Sequence, residues 1–221
     1  MEVLLHISYN LKFKKGYASG ENKILEEKRK QEIQTALKSE LSISVDFVKQ
    51  GFGTTNDGNT ARSFFSEPDV GRILGIDVNL IRRFANILHV MSSGFEVDIN
   101  KFEVYAFKTA KLYVKNYDWY KMPSTVHKVL IHGKKIMQQF NLPIGRLSEE
   151  AQEANNKVFK SARAHNSRCC SRKDNNEDIM HYLLIASDPL ISSLRIRKEK
   201  KVKQLSEEAK SLLKNSITQC E

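Results

Sequence analysis

The sequence predicts a mainly α-helical protein. Apolar residues recur at helical spacing along most of the chain, capping residues precede several of these stretches, and only one short stretch alternates as a strand would. Of the 221 residues, 40% are hydrophobic and 28% are charged, which permits a packed core and argues against wholesale disorder. At about 100–200 residues per domain, this length predicts one large or two small domains.

The first part of the chain predicts one solvated helix. Segment 1–15 mixes apolar and basic positions and predicts no particular structure. From Glu21 to Leu41, charged residues surround a sparse apolar stripe, which is typical of an amphipathic surface helix. Residues 41–48 alternate briefly, as a short strand or an extended connector does, and residues 51–58 are rich in turn formers and predict a loop.

Two helices are predicted in the middle of the chain. One runs from Asn79 to Met91, and the other begins at the capping residue Asp98 and reaches Tyr113. Their predicted buried faces are Ile81, Phe84, Leu88 and Met91 in the first helix, and Ile99, Phe102, Ala106, Ala110 and Tyr113 in the second.

Two further helices follow a proline stop. Pro123 ends one element, and the serine after it caps a helix that reaches about Phe140. Ser148 caps the next helix, whose first turn carries two glutamates that favour the helix dipole. The pentapeptide Leu-Ser-Glu-Glu-Ala occurs at 147–151 and again at 205–209. It is a good helix start and indicates no function by itself.

The last part of the chain predicts a shorter helix and a basic tail. The helix begins at about Asn176 and ends before Asp188, because a proline follows. From Arg195 the sequence is strongly basic and predicts a mobile segment, until a last short helix begins at Ser206.

Several classes of protein are excluded by the sequence. The longest apolar runs, such as 129–131 and 182–186, are far shorter than the roughly 20 residues that span a bilayer. The apolar run at the start of the sequence is too short for a signal peptide, and it contains an acid. Cys169, Cys170 and Cys220 do not form a disulfide framework, which favours a reducing compartment.

The charge of the chain indicates a polyanionic partner. Lys plus Arg number 36 against 26 Asp plus Glu, which gives a net charge of +10 and favours nucleic acid over a membrane surface. Residues 157–221 contribute +6, and no acid occurs between 157 and 173. The cations of that stretch are Lys157, Lys160, Arg163, Arg168, Arg172 and Lys173.

One side of the helix after Ser148 carries charge and the other side is apolar. At about 100° per residue, Glu153, Lys157 and Lys160 form one stripe with Arg163 beside it. One interpretation is a surface Glu–Lys pair at i,i+4, which contributes a few tenths of a kcal/mol. The other is a carboxylate that binds a divalent metal next to a phosphate backbone.

His127 and His132 form the second candidate site. Their spacing lies in the range of the histidine half of structural zinc sites. On a straight helix, positions i and i+5 point about 140° apart, so chelation requires a distortion that Gly133 permits. The chain has no C-x2-C pair, and adjacent cysteines rarely bind one metal together. Two ordinary helical histidines are the alternative.

Two weaker signals precede these. Gly58 opens a helix after a turn-rich loop, where backbone N–H groups and Arg62 suit a phosphate, although a plain capped helix fits equally. Trp119 suits either stacking on a base or packing in the core.

Taken in order, these motifs resemble the C-terminal half of the V(D)J recombinase catalytic subunit and of the related Transib-type transposases. The resemblance covers roughly residues 1–187 and includes Leu5-His6 and the charged helix at 21–41. The motifs that carry it are Gly58-Asn59-x-Ala61-Arg62, Tyr113 with Trp119, His127-Lys-x-Leu-x-His132 and Glu150-x-x-Glu153-x-x-Asn156-Lys157-x-Phe159.

The resemblance implies roles for individual residues. In that family a ribonuclease-H-like core carries an Asp-Asp-Glu triad that binds two Mg²⁺ or Mn²⁺ ions and cuts and joins DNA. By similarity, Glu153 matches the catalytic, metal-binding glutamate, and His127 with His132 matches the zinc-binding pair. Arg62 and Lys157 match positions where the family's basic residues approach DNA, and the basic run after Glu153 adds Lys160 and Arg163 as expected DNA contacts.

The resemblance also implies a domain organisation. The expected fold is a helical, zinc-type insertion domain plus the glutamate-bearing helix of a core whose strands are missing. The expected segments are an N-terminal segment (1–50), an insertion-like domain (51–147), the core remnant (148–194) and a basic tail (195–221).

The sequence departs from the family pattern in its acids. Both aspartates and the C-x2-C half are expected before residue 1, and apart from its place on a possible strand nothing marks Asp46 as catalytic. One carboxylate does not hold two Mg²⁺ ions, because such sites need several oxygen ligands. We therefore expect a transposase-derived DNA-binding fragment that cleaves DNA only if the aspartates are supplied.

Partners and rival functions follow from that expectation. The expected partners are DNA and either a second copy of the chain or a complementing N-terminal chain, with no membrane. The expected compartment is the nucleus, with the cytoplasm as the alternative. A non-catalytic helical scaffold or interaction module is the rival function, and a decayed reading frame is a third possibility.

Overall fold

Helices form most of the structure, as the sequence predicts. A computed structural model describes residues 1–11, 20–49, 53–147, 150–168, 170–194 and 205–214. The helices are α1 (Glu2–Asn10), α2 (Gly20–Leu41), α3 (Gly58–Ser66), α4 (Val70–Leu74), α5 (Val78–Ser92), α6 (Ile99–Asn116), α7 (Ser124–Gln138), α8 (Glu150–His165), α9 (Arg172–Ser187), α10 (Pro189–Leu194) and α11 (Glu207–Ser211). A 3₁₀ helix (Ile144–Leu147) precedes α8, and β1 (Val48–Lys49) pairs antiparallel with β2 (Gly53–Thr54).

The predicted helices of the middle of the chain are confirmed, with ends that differ by a few residues. Asp98 caps α6 through bonds from the backbone N–H groups of Asn100 and Lys101 to its carboxylate. Three short helices, α1, α4 and α10, were not predicted. The helix expected to open at Gly58 is α3, and Asp57 caps it by accepting from the Thr60 N–H.

The predicted buried face of α6 is confirmed except at Ile99, which is only partly buried, whereas that of α5 is partly wrong. Leu88 is 44% exposed, and the fully buried residues of α5 include Leu80, Ile87 and Val90. The reason is that α5 contacts α3, α4, α6 and α11, so its buried arc is wider than one apolar stripe.

The first hydrophobic core joins the N-terminal helices to the middle of the chain. Residues before position 50 and residues after it pack in the same cluster, so these segments stabilise each other by burying apolar surface. Its buried members are Leu4, Leu5, Ile7, Tyr9, Ile33, Leu37, Ile43, Val45, Phe64, Val70, Leu74, Ile76, Leu80, Ile81, Tyr113 and Tyr117.

The second core lies between α5, α6, α7 and the segment 205–214. The ring of Phe102 packs against Gly133, where a Cβ atom would lie 2.9 Å from the ring. Gly133 is therefore the residue that lets α6 and α7 approach here. The buried members of this core are Ile87, Val90, Phe102, Ala106, Ala110, Leu130, Ala209, Leu212 and Leu213.

A polar network fixes the segment 205–214 to α5 and α6. The side-chain amide of the buried Asn86 donates to Glu208 (2.8 Å) and to the hydroxyl of Tyr105 (3.0 Å). Its carbonyl accepts from the hydroxyl of Ser206 at 2.7 Å. Backbone bonds extend the contact, because Asp98 N–H donates to Leu212 and an isolated bridge pairs Val97 with Leu213.

Helices α8, α9 and α10 pack mainly on one another. Ala162 on α8 and Ile179 on α9 are the buried residues of this hairpin among those described. Neither hydrophobic core contains a described residue of these three helices. The hairpin therefore presents much of its surface outward.

Not one of the described helices combines the length and the apolar character that crossing a membrane requires.

Candidate nucleic-acid interface

The outward side of α8 carries a row of exposed cations. Lys157, Lys160 and Arg163 are all exposed. At about 100° per residue, Lys157 and Lys160 lie roughly 140° and 160° around the helix from the buried Ala162, so they point away from α9. The helix has this orientation because its small and apolar side packs on α9, which leaves the charged side to solvent.

An ion pair closes the turn between α8 and α9. The guanidinium of Arg168 donates two hydrogen bonds of 3.0 Å to the carboxylate of Asp178, and its backbone N–H donates a third of 2.7 Å. The hydroxyl of Ser171 caps α9 by accepting from the Asp174 N–H. The sequence predicted Arg168 among the cations of the stretch that faces DNA. In the structure its guanidinium forms an ion pair with Asp178 at the turn of the hairpin.

The same pair predicts a pH-dependent turn. Hydrogen bonds from Arg168 lower the pKa of Asp178 below its ordinary value, so the pair stabilises the hairpin at pH values above about 4. That stabilisation is lost as the pH falls through the lowered pKa of the folded state. We expect the Asp178 carboxyl carbon to titrate by NMR below the ordinary aspartate range, and Asp178→Asn to increase proteolysis at residues 166–171 at neutral pH.

A matched variant separates this effect from a general loss of negative charge. Asp118→Asn removes an exposed acid from the turn between α6 and α7 and is expected to leave cleavage at 166–171 unchanged. Equal cleavage of the Asp178→Asn variant and the parent chain would show that the pair does not hold the turn.

The predicted catalytic residue lies on the same helix. The backbone of Glu153 belongs to α8, and its side chain lies outside the described part of the chain. Its role as a metal ligand stays a prediction.

The two histidines predicted as zinc ligands lie together on α7. The rings of His127 and His132 have centroids 5.0 Å apart and an interplanar angle of 68°, and both residues are exposed. The helix runs without interruption through both positions, so the distortion expected at Gly133 is not needed for the rings to meet.

The donor set for a metal is incomplete among the described residues. They contain no group of three or more His, Cys, Asp or Glu side chains placed to hold an ion, whereas a structural zinc site has four ligands. Cys170 is a free, exposed thiol, and Cys169 and Cys220 lie outside the described residues. Binding of zinc and of magnesium therefore stays a prediction.

The remaining predicted residues have structural partners. Arg62 donates to Asn59 at 2.9 Å, and the start of its helix α3 is capped by the carboxylate of Asp57. An acid at this position favours the capped-helix interpretation over a phosphate site. Trp119 is partly buried against the first core, with its ring edge-on to Tyr120, which favours the packing interpretation.

Asp46 also has a structural role. It has a positive φ of 57°, and its carboxylate accepts from the Tyr9 hydroxyl at 2.7 Å and from the Asn56 amide. Burial, together with the bond to Asp46, raises the pKa of the Tyr9 phenol. These bonds hold the connector before β1 against α1.

The sequence interpretation missed a second basic surface, on α6 and α7. Its exposed lysines include Lys108, Lys111, Lys115 and Lys128. The signal was present in the sequence, because α7 contains three lysines and no acid. Without knowledge of which helices are neighbours, these lysines could not be assigned to one face.

Comparison with known proteins gives no family for this chain. No family model matches it, and no curated protein is significantly similar to it. The resemblance in ordered motifs therefore stays a prediction.

Proposed function

We propose that this protein binds duplex DNA through the outward side of α8 and the adjoining turn into α9. The observation that supports it is the run of exposed cations from 157 to 173, which contains no acid. With Arg168 paired to Asp178, the cations that remain for phosphate are Lys157, Lys160, Arg163, Arg172 and Lys173.

The shape of the hairpin suits a duplex. Lys157 and Arg163 are separated by about 9 Å along the helix axis, since each residue adds 1.5 Å, so the row follows a backbone for more than one phosphate. The major groove of DNA is about 12 Å wide and admits an α-helix. Because α8 is outside both cores, its charged side is accessible without rearrangement of either.

This activity is what a transposase remnant would retain. The ordered motifs from Arg62 to Lys157 motivate the choice of DNA, and the proposal is binding without cleavage. Cleavage through Glu153 would require additional carboxylates held beside it, because a two-metal site needs several oxygen ligands.

Removing two of the cations tests the proposal. We expect Lys157→Ala combined with Lys160→Ala to raise the Kd for duplex DNA about tenfold or more, because two phosphate contacts and their released counterions are lost. The slope of log K against log salt is expected to shrink in magnitude by about 2. Fluorescence anisotropy of a labelled random-sequence duplex, titrated between about 50 and 200 mM salt, measures both.

The matched control removes the same charge from another surface. Lys111→Ala with Lys115→Ala lowers the net charge equally but alters α6. If both pairs weaken DNA binding alike, the effect is one of net charge and α8 is not the interface. If neither pair changes DNA binding, the rival function of a helical scaffold is favoured.

A further inference from the structure

An apolar groove runs along the outward side of the helix pair α6 and α7. These two helices pack along much of their length, joined by residues 117–123. The groove is lined by Phe107, Ala110 and Val114 from α6, Met122 from the connection, and Ile131 and His127 from α7. Phe107 is 49% exposed, Val114 54% and Ile131 38%. Large apolar side chains are thus presented to solvent on one continuous surface.

Lysines border this groove. Lys111 and Lys115 line its side, and the Lys111 ammonium lies 4.8 Å from the centre of the Phe107 ring. Lys108 and Lys128 are exposed on the same two helices. Among the described residues, none of these four lysines forms an ion pair with a carboxylate.

The acids that could neutralise the lysines are scarce. Between residues 99 and 138 the chain has eight lysines and only two acids. One of the acids, Glu103, is engaged by Lys134 at 2.6 Å, and the other, Asp118, lies in the turn at the end of α6. The groove therefore combines an apolar floor with an unbalanced positive border.

We infer that this groove binds an acidic amphipathic helix of a protein partner. Apolar residues at i, i+3, i+4 and i+7 of such a helix would cover Phe107, Val114 and Ile131, and its flanking carboxylates would lie beside Lys111 and Lys115. The apolar floor of the groove would contact the apolar side of the partner helix, and the lysines at its border would attract the carboxylates of that helix. This electrostatic attraction selects acidic amphipathic helices over other amphipathic helices.

Charge and surface chemistry argue against two other occupants. A second copy of the chain, related by a two-fold axis, would bring the same lysines against each other and be repelled. A nucleic acid would satisfy the lysines but leave the exposed Phe107 and Val114 facing phosphate and sugar, whereas protein–DNA interfaces are distinctly polar.

A designed peptide tests the groove with the full chain. The probe is a synthetic, fluorescein-labelled helix with leucine at i, i+3, i+4 and i+7 and glutamate at the flanking positions. A control peptide has lysine in place of each glutamate. We expect the glutamate peptide to bind with an affinity that decreases with salt, and the lysine peptide to bind at least tenfold more weakly. The NMR shifts of the protein caused by the glutamate peptide are expected to map to α6 and α7.

Variants assign the binding to the groove. We expect Phe107→Ala, or Lys111→Ala with Lys115→Ala, to weaken the glutamate peptide tenfold or more, and Lys157→Ala with Lys160→Ala to leave it unchanged. Because Phe107 is half exposed, its variant keeps the fold, which circular dichroism checks. This test is independent of DNA binding by α8, since each lysine pair serves as the control for the other.

Four outcomes would overturn the inference. In the first, the glutamate peptide does not bind, and in the second, duplex DNA displaces it. In the third, light scattering detects an oligomer of the chain that Phe107→Ala dissociates. In the fourth, the chain binds phosphatidylglycerol vesicles and Phe107→Ala abolishes that binding. The last three would identify a nucleic acid, a second copy and a lipid surface, respectively, as the occupant.

Discussion

Replacing Phe102 with alanine is expected to lower the free energy of unfolding by about 3–5 kcal/mol. The side chain is fully buried in the second core, and its ring lies where α6 and α7 approach each other at Gly133. Removing the ring leaves a cavity, because the helices on either side are held by their other contacts. Urea denaturation followed by circular dichroism measures the loss.

A second phenylalanine on the same helix is the control. Phe107→Ala removes the same atoms from a half-exposed position, so we expect a change in the free energy of unfolding of less than about 1 kcal/mol. Similar losses for the two variants would mean that Phe102 does not occupy the core position described.

The neighbouring glycine provides a stricter test. Gly133→Ala alone gains about 1 kcal/mol of helix propensity, but its Cβ meets the Phe102 ring at 2.9 Å. In the Phe102→Ala background this clash is absent, so Gly133→Ala should be more favourable there than in the parent chain. Simple additivity of the two free-energy changes would contradict the contact.

The contrast between α5 and α6 shows how far the fold could be predicted. The sequence predicted most of the buried face of α6, because one apolar stripe recurs at helical spacing after the capping residue Asp98. The sequence misplaced part of the buried face of α5, since Leu88, which was predicted to be buried, is exposed. The reason is that several helices cover α5 from different directions. A single stripe describes a helix with one neighbour, and α5 has more than one.

The candidate sites divide in the same way. The cations of α8 could be predicted, since a run without acids is a property of the sequence alone. The ion pair between Arg168 and Asp178 could not be predicted, because the two side chains meet only when the turn is folded. The groove beside Phe107 could not be predicted either, because its apolar floor and basic border are formed by two helices and the segment that connects them.

The repeated pentapeptide is a further case. Leu-Ser-Glu-Glu-Ala predicted a helix start at 205–209, and Ser206 does cap α11. The same serine also donates to Asn86, and Glu208 accepts from that side chain, which is 122 positions away from it in sequence. Helix propensity explains the start of α11, whereas its location depends on contacts that no local pattern contains.

Leu213→Ala is expected to release the segment 205–214 from the second core. Leu213 is 2% exposed and belongs to the anchor that Leu212 and Ala209 complete. Removing it should cost about 2–5 kcal/mol of docking free energy. Because the segment can open without unfolding the rest, the effect is local. At 1.4 kcal/mol per tenfold, the Asp98 amide, which donates to Leu212, should exchange with solvent about 30-fold faster or more.

The control for this release lies in the same helix. Glu207→Ala removes an exposed side chain whose ion pair is with Lys210 within α11, so the Asp98 amide should exchange at nearly the parental rate. Acceleration by Glu207→Ala equal to that by Leu213→Ala would show that fraying of α11, rather than loss of the apolar anchor, controls the segment. If neither variant accelerates exchange, the Asp98 amide is protected by something other than the bound segment. Faster exchange in Leu213→Ala alone supports docking that depends mainly on buried leucine, with the Asn86 network fixing its register.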